Sequence, residues 1–259
     1  MSISREEGNR RFLKLRYQPY VVYTLIRAPE QTNGQGRRME RHPGAGFLFV
    51  LGMAFVPMSA IAATAADGWN THRGFYLSTD VGYAESHYDY TGPSDKLEVH
   101  SGGANVDFRF GYALTPHLVL SLDLNGAATV NKPDTTLNGN TLHSGTNYHF
   151  ASAQAGVGLT WYFDNDLFLG ATVGSGQATF HYNNIDVNSD NGLGAQLRMG
   201  KEWWLGDDWG LGVVGGLDYI SAGANMHLNV AKSSGSVYTV YLDHVDTRTF
   251  FIGFTATFN

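Results

Sequence analysis

Residues 73–259 read as an all-β chain, an eight-stranded antiparallel up-and-down transmembrane β-barrel. Three observations predict it. Eight segments alternate apolar and polar residues with period two, each about ten residues long, the length that crosses a bilayer when tilted. The connections between them are alternately short and long. A segment with the pattern of a secretory signal peptide precedes them.

The alternation can be followed strand by strand. Phe75, Leu77, Thr79, Val81 and Tyr83 form one series, with Tyr76, Ser78, Asp80, Gly82 and Ala84 between them. Val106, Phe108, Phe110, Tyr112 and Leu114 form the second, opposite Asn105, Asp107, Arg109 and Gly111. Leu118, Leu120, Leu122 and Leu124 form the third, against Ser121, Asp123 and Asn125. The fourth runs from Ala151 to Trp161 against Ser152, Gln154, Gly156, Gly158 and Thr160. The fifth is Leu169, Ala171 and Val173. The sixth is Leu193, Ala195, Leu197, Met199 and Trp203, against Gln196, Arg198 and Glu202. The seventh is Leu211, Val213, Leu217 and Tyr219 against Gly212 and Asp218, and the eighth is Phe250, Ile252, Phe254, Ala256 and Phe258. No window from Phe75 onward sustains a helical period.

Short connections follow strands two, four and six: Thr115-Pro116-His117, Asp164-Asn165-Asp166 and Gly206-Asp207-Asp208. Those after strands one, three, five and seven are long and polar, as at 131–146 and 222–244. A soluble sandwich has no reason to sort loop length by parity. A membrane barrel does, with short periplasmic turns and long outer loops.

The head of the chain differs from the body. Residues 1–65 carry nine Lys/Arg against four Asp/Glu, and the remainder eight against nineteen. From Met39, a short charged start leads into an apolar stretch of about Gly46 to Ile61 and then Ala63-Thr64-Ala65, which reads as a signal peptide over 39–65 cleaved between Ala65 and Ala66. Pro57 and the shortness of the stretch argue against a membrane-spanning helix. Residues 66–72 form a short periplasmic lead, and residues 1–38 read as a spurious or disordered extension outside the fold. The acidic body excludes nucleic acid as a partner, because neutralising phosphates needs a basic face. With no cysteine, there is no disulfide frame, zinc-thiolate site or thiol nucleophile.

The chain from about residue 73 resembles the small eight-stranded outer-membrane barrels of Gram-negative bacteria, the OmpA-transmembrane-domain and OmpX-like group. The signal peptide, the eight alternating strands, the loop parity and the aromatic final strand "TFFIGFTATFN" carry the resemblance. It implies a multi-pass location in the outer membrane, in contact with membrane lipid and lipopolysaccharide. It also implies periplasmic chaperones and the barrel-assembly machinery as partners during biogenesis, and leaves the outer loops open to an extracellular ligand. Phe258 is followed by Asn259, whereas such barrels usually end on an aromatic residue.

Two sets of residues are candidates for function. Asp80, Asp107, Arg109, Asp123, Gln154, Gln196, Arg198, Glu202 and Asp218 share the inward parity and are expected to form a polar network in the barrel core. Eight strands are just wide enough for side chains to fill the interior. If the turn is Thr115-Pro116-His117, Leu114 opposes Leu118 and Arg109 faces Asp123. Trp161, Phe163, Trp203, Trp209 and Phe258 flank the short turns with outward parity and are expected to form a periplasmic aromatic girdle at the headgroup level. Trp204, of opposite parity, belongs to the barrel floor.

The remaining motifs point to no chemistry. "GLGVVG" (210–215) matches a dinucleotide fingerprint but lies inside a strand with no helix after it. The histidines at 87, 100, 143, 149, 181, 227 and 244 lie in outer loops or strand tops without the H-E-x-x-H spacing of a metal site, and no G-x-S-x-G elbow occurs. The sequence therefore predicts no catalytic residue, metal or cofactor. Its leading reading is a non-enzymatic surface barrel with a filled polar core and long outer loops, structural or interacting with the exterior. A narrow ion or solute channel and a lipid A-modifying barrel enzyme are the alternatives.

Overall fold

The computed structural model describes residues 20–21, 72–130, 132–143, 148–182, 185–231 and 237–259. The expected signal peptide, its Ala65–Ala66 cleavage point and nearly all of the extension before it lie outside the described residues. Eight long strands make the body: β1 (Gly74–Thr91), β2 (Lys96–Thr115), β3 (Leu118–Thr129), β4 (Tyr148–Tyr162), β5 (Leu167–Tyr182), β6 (Gly192–Trp204), β7 (Trp209–Ala231) and β8 (Val237–Phe258). Each pairs antiparallel with its neighbour in sequence, and β8 returns to pair with β1 from His244↔Thr91 to Phe258↔Leu77. The sheet is thus a closed ring, which satisfies backbone donors and acceptors between strands and leaves no edge.

Period-two alternation puts the apolar series on the outside. Val81, Leu122, Val157, Val173, Leu197, Met199, Ile252 and Phe254 are all more than half exposed. Their inward alternates Asp80, Asp107, Arg109, Asp123, Arg198 and Glu202 are at most 2% exposed. An exterior of this kind is stable only in lipid, and the strands form a transmembrane barrel. Replacing Leu122, mid-strand and 63% exposed, with Arg is expected to cost about 2–4 kcal/mol, the penalty for a cation at the bilayer midplane. The same change at Val237, equally exposed at the top of β8, is expected to be nearly neutral. Urea titration in lipid vesicles checks this, and equal costs at the two positions would reject the assignment of the belt.

The three short connections are tight turns. His117 donates its backbone amide to Thr115 Oγ1 (3.3 Å). Phe163 and Leu167 close the second turn, with Asp166 in the left-handed region that a short polar side chain tolerates. Leu205 N donates to Trp209 O across the third (2.8 Å).

Two expectations need correction. The β2–β3 register does pair Arg109 with Asp123, but a bulge between Ala113 and Thr115 sets Thr115, not Leu114, opposite Leu118. The bulge leaves a two-residue turn, and one extra residue on β2 absorbs the difference. The long connections are also mostly strand. β1, β2, β7 and β8 contain 18, 20, 23 and 22 residues, about twice what a membrane crossing needs. A four-residue turn over 92–95, closed by Gly92 N to Asp95 O (2.9 Å), replaces the first long loop. Because β7, β8, β1 and β2 are consecutive in the ring, their extensions form one continuous wall above the membrane. Asp134–Leu137 extends it by pairing with β2, and Asn140–His143 pairs in turn with that segment.

Candidate functional site in the barrel interior

The interior has two layers of opposite chemistry. The lower one is polar and centres on Arg109. Asp80 on β1 stands directly opposite Asp107 on β2, so two carboxylates meet across one strand pair. Arg109 lies two residues along β2 on the same face. Its Nη2 donates to Asp80 Oδ2 (2.6 Å) and also to Asp107, and its Nη1 reaches Ser78 Oγ (3.4 Å). Gln196 Nε2 donates to Asp107 from the far side of the barrel (3.0 Å). Four of the expected network residues therefore meet at one point.

Asp123 is not part of that cluster. It faces Arg109 in register, but Ser121 Oγ (2.5 Å) and Thr172 donate to its two oxygens. The arginine goes where two like charges need a cation between them, and Asp123 is already served by hydroxyls. Arg198 forms a third station, donating to Thr160 Oγ1 (2.5 Å) with its guanidinium carbon 5.4 Å from the centre of the Phe168 ring. Glu202 accepts from Thr257 Oγ1 (2.9 Å) and Tyr162 OH (3.1 Å), and Tyr162 OH meets Tyr76 OH at 3.0 Å. Asp218 accepts from Asn125 Nδ2 (3.1 Å). Gln154 is buried with neither amide atom bonded to the protein.

Two inward glycines make this arrangement possible. A Cβ at Gly158 would lie 2.2 Å from Asp123 Oδ2, and one at Gly170 would lie 2.7 Å from Arg198 Nε. The charged side chains lie flat across the wall where these glycines leave it bare.

The floor closes the lower end. His72, just before β1, is 4% exposed and stacks on Tyr162 with ring centres 3.6 Å apart, while Trp204 lies 5.1 Å away. Its Nδ1 donates to Asn259 Oδ1 (2.9 Å), and burial pushes its pKa down to about 4, so the ring is neutral at physiological pH. Outside, Trp161, Phe163, Trp203 and Trp209 are each about half exposed beside the short turns, and Phe258 lies 5.2 Å from Trp209, ring centre to ring centre.

The upper layer was not expected from the sequence. Tyr88, Tyr90, Leu97, Val99, Phe150, Phe180, Ile220, Met226, Leu242 and Val245 are buried in one apolar cluster inside the strand extensions. The signal for it is an inversion of pattern. In β1 the inward residues change from Ser78 and Asp80 to Tyr88 and Tyr90, while the outward ones change from Val81 and Tyr83 to Glu85, His87 and Asp89. Leaving the lipid reverses which face must be apolar.

No group of three or more His, Asp or Glu that could hold a metal occurs among the described residues. No family model matches the chain, and no curated protein matches it. Solved structures do. Neisserial surface protein A is 16% identical with a TM-score of 0.44, over 71% of this chain and 96% of that one. OprG, an outer membrane protein of Pseudomonas aeruginosa, is 13% identical with a TM-score of 0.44, over 73% and 98%. Ail, the attachment invasion locus protein of Yersinia pestis, is 14% identical with a TM-score of 0.39, over 72% and 99%. On its own geometry, a closed ring of eight strands with an apolar belt, a charged interior and short turns at one end, the chain is a transmembrane β-barrel of the outer-membrane type.

Proposed function

We propose that the chain is a non-enzymatic surface protein: a closed barrel that anchors a β-wall outside the cell, where it meets the exterior. One observation carries this reading. The interior is filled twice over, by the ion-pair and hydroxyl network around Arg109 and by the apolar cluster above it. A hydrated ion would have to cross both, and the upper layer offers it no polar partners over most of its surface. In this reading the excess of acids over arginines in the lower layer is a structural feature of the core, not an ion path.

The rest of the proposal follows from the same geometry. Trp161, Phe163, Trp203, Trp209 and Phe258 serve as the periplasmic girdle in contact with lipid headgroups. Residues 39–65 direct export and are removed. Lipopolysaccharide surrounds the outer leaflet portion of the belt, and any ligand is met by the wall built from β7, β8, β1 and β2.

Planar-bilayer recording tests the closed lumen. The purified barrel is expected to insert without producing current steps above the lipid baseline. Reproducible ohmic single-channel steps from the wild-type protein would replace this reading with the channel.

A further inference from the structure

The outer wall carries a pair of histidines that the closed barrel does not use. His87 on β1 and His100 on β2 are directly opposite in register and share the outward face. Their ring centres are 4.0 Å apart at an interplanar angle of 60°. Both lie above the apolar belt, four or more residues beyond Tyr83 and Val106. His100 is exposed and His87 is partly so. We propose that His87 and His100 together bind a divalent transition-metal ion of the Cu²⁺ or Zn²⁺ type.

Three features support the assignment. Directly opposed positions on antiparallel strands hold their Cβ atoms about 4.5–5.5 Å apart, so two imidazoles on one face can aim nitrogens at one point with little backbone entropy to lose. The frame is rigid, because both strands continue in unbroken register on either side of the pair, from Gly74↔Ala113 to Thr91↔Lys96. The surroundings also favour a cation. Glu85 and Asp89 flank His87 on β1, Glu98 flanks His100 on β2, and Asp134 stands opposite His100 on the next segment. Arg248, opposite His87 on β8, and Lys96 are the positive groups nearby. Both are turned toward Asp89, at 3.8 Å and 3.7 Å.

The donor set fixes the class of ion. Imidazole suits Cu²⁺, Zn²⁺ and Ni²⁺, whereas Ca²⁺ and Mg²⁺ take oxygen ligands. No third His, Asp or Glu converges on the pair among the described residues, so two nitrogens and solvent complete the site and the ion exchanges freely. A ring contact that merely staples β1 to β2 would need no metal, and the experiment separates the two roles.

Cu²⁺ is titrated into the purified barrel in detergent micelles and followed by electron paramagnetic resonance and calorimetry. The first equivalent is expected to show coupling to two imidazole nitrogens. His100→Asn and, separately, His87→Asn should each leave one nitrogen and weaken that first equivalent by at least about tenfold, the lower end of what a lost outer-shell partner already costs. His149→Asn removes one member of the wider His149–His181 pair, whose ring centres are 6.3 Å apart, and should change nothing. Folding of each variant is checked by its heat-modifiable gel mobility. Wild-type affinity and two-nitrogen coupling in either folded His87 or His100 variant would overturn the proposal, as would loss of the signal in His149→Asn.

Discussion

Arg109→Ala is expected to destabilise the barrel by about 3–5 kcal/mol, the usual cost of leaving a buried charge without its partner. The side chain is fully buried and bonds two carboxylates that face each other across β1 and β2. Its removal leaves Asp80 and Asp107 opposed with no cation between them, so repulsion adds to the lost hydrogen bonds. Adding Asp107→Asn should recover part of the loss, since an amide removes one of the two charges. Register alone suggests a different coupling, because Arg109 stands opposite Asp123. The contacts say otherwise: Asp123 is held by Ser121 and Thr172. Urea unfolding in vesicles of the two double-mutant cycles decides between them. Coupling of Arg109 to Asp107 should exceed its coupling to Asp123. The reverse order, or an Arg109→Ala variant within about 1 kcal/mol of wild type, would remove Arg109 from the centre of the core, since surface-like substitutions cost about that little.

The difference between those two cycles marks how far the sequence could be read. Parity was legible, because lipid outside and a narrow lumen inside impose opposite chemistry on alternate residues. That is why Asp80, Asp107, Arg109 and Asp123 could all be placed inside from the pattern alone. Partner choice was not legible. It depends on barrel shear and on side chains from strands distant in sequence, such as Thr172 on β5 and Gln196 on β6. Gly158 and Gly170 gave no signal either, since a bare patch of wall acquires meaning only when a neighbour's side chain lies across it.

The strand ends are hidden in the sequence for a physical reason. A search for one apolar series per strand stops where the series ends, and in β1 that is Tyr83. Beyond it the outward face meets water, and the apolar residues move to the inward parity at Tyr88 and Tyr90. The alternation continues with its phase reversed. Residues 85–91, 96–104 and much of 222–244 therefore look like polar loops when counted by composition, yet they fold as strand.

This reversal has an energetic consequence that can be measured at Phe150. In the belt, an outward apolar side chain passes from water into lipid on folding, and mobile lipid fills the space left when it is truncated. Above the belt the solvent is water, and truncation inside the packed wall loses the same transfer energy and also leaves a cavity. Phe150 is 1% exposed, with ring centres 4.8 Å from Phe180, 5.3 Å from Tyr88 and 6.3 Å from Tyr90. Its backbone amide bond to Thr129 Oγ1 (2.9 Å) survives a change of side chain, so truncation probes the ring alone. Phe150→Ala is expected to cost about 3–5 kcal/mol, as for other buried aromatics. Phe150→Leu should cost less, because it keeps much of the apolar volume. Phe254, 74% exposed on the belt, provides the comparison, and its change to Ala should cost less than the same change at Phe150, because it loses transfer energy but leaves no cavity. If unfolding in vesicles gives the two alanine variants equal losses, the upper layer is not a packed core. A loosely packed upper layer would not seal the barrel against ions. If Phe150→Ala is the more costly of the two, the outer half of this chain is a water-facing barrel built on top of a membrane-spanning one, and held by a close-packed core.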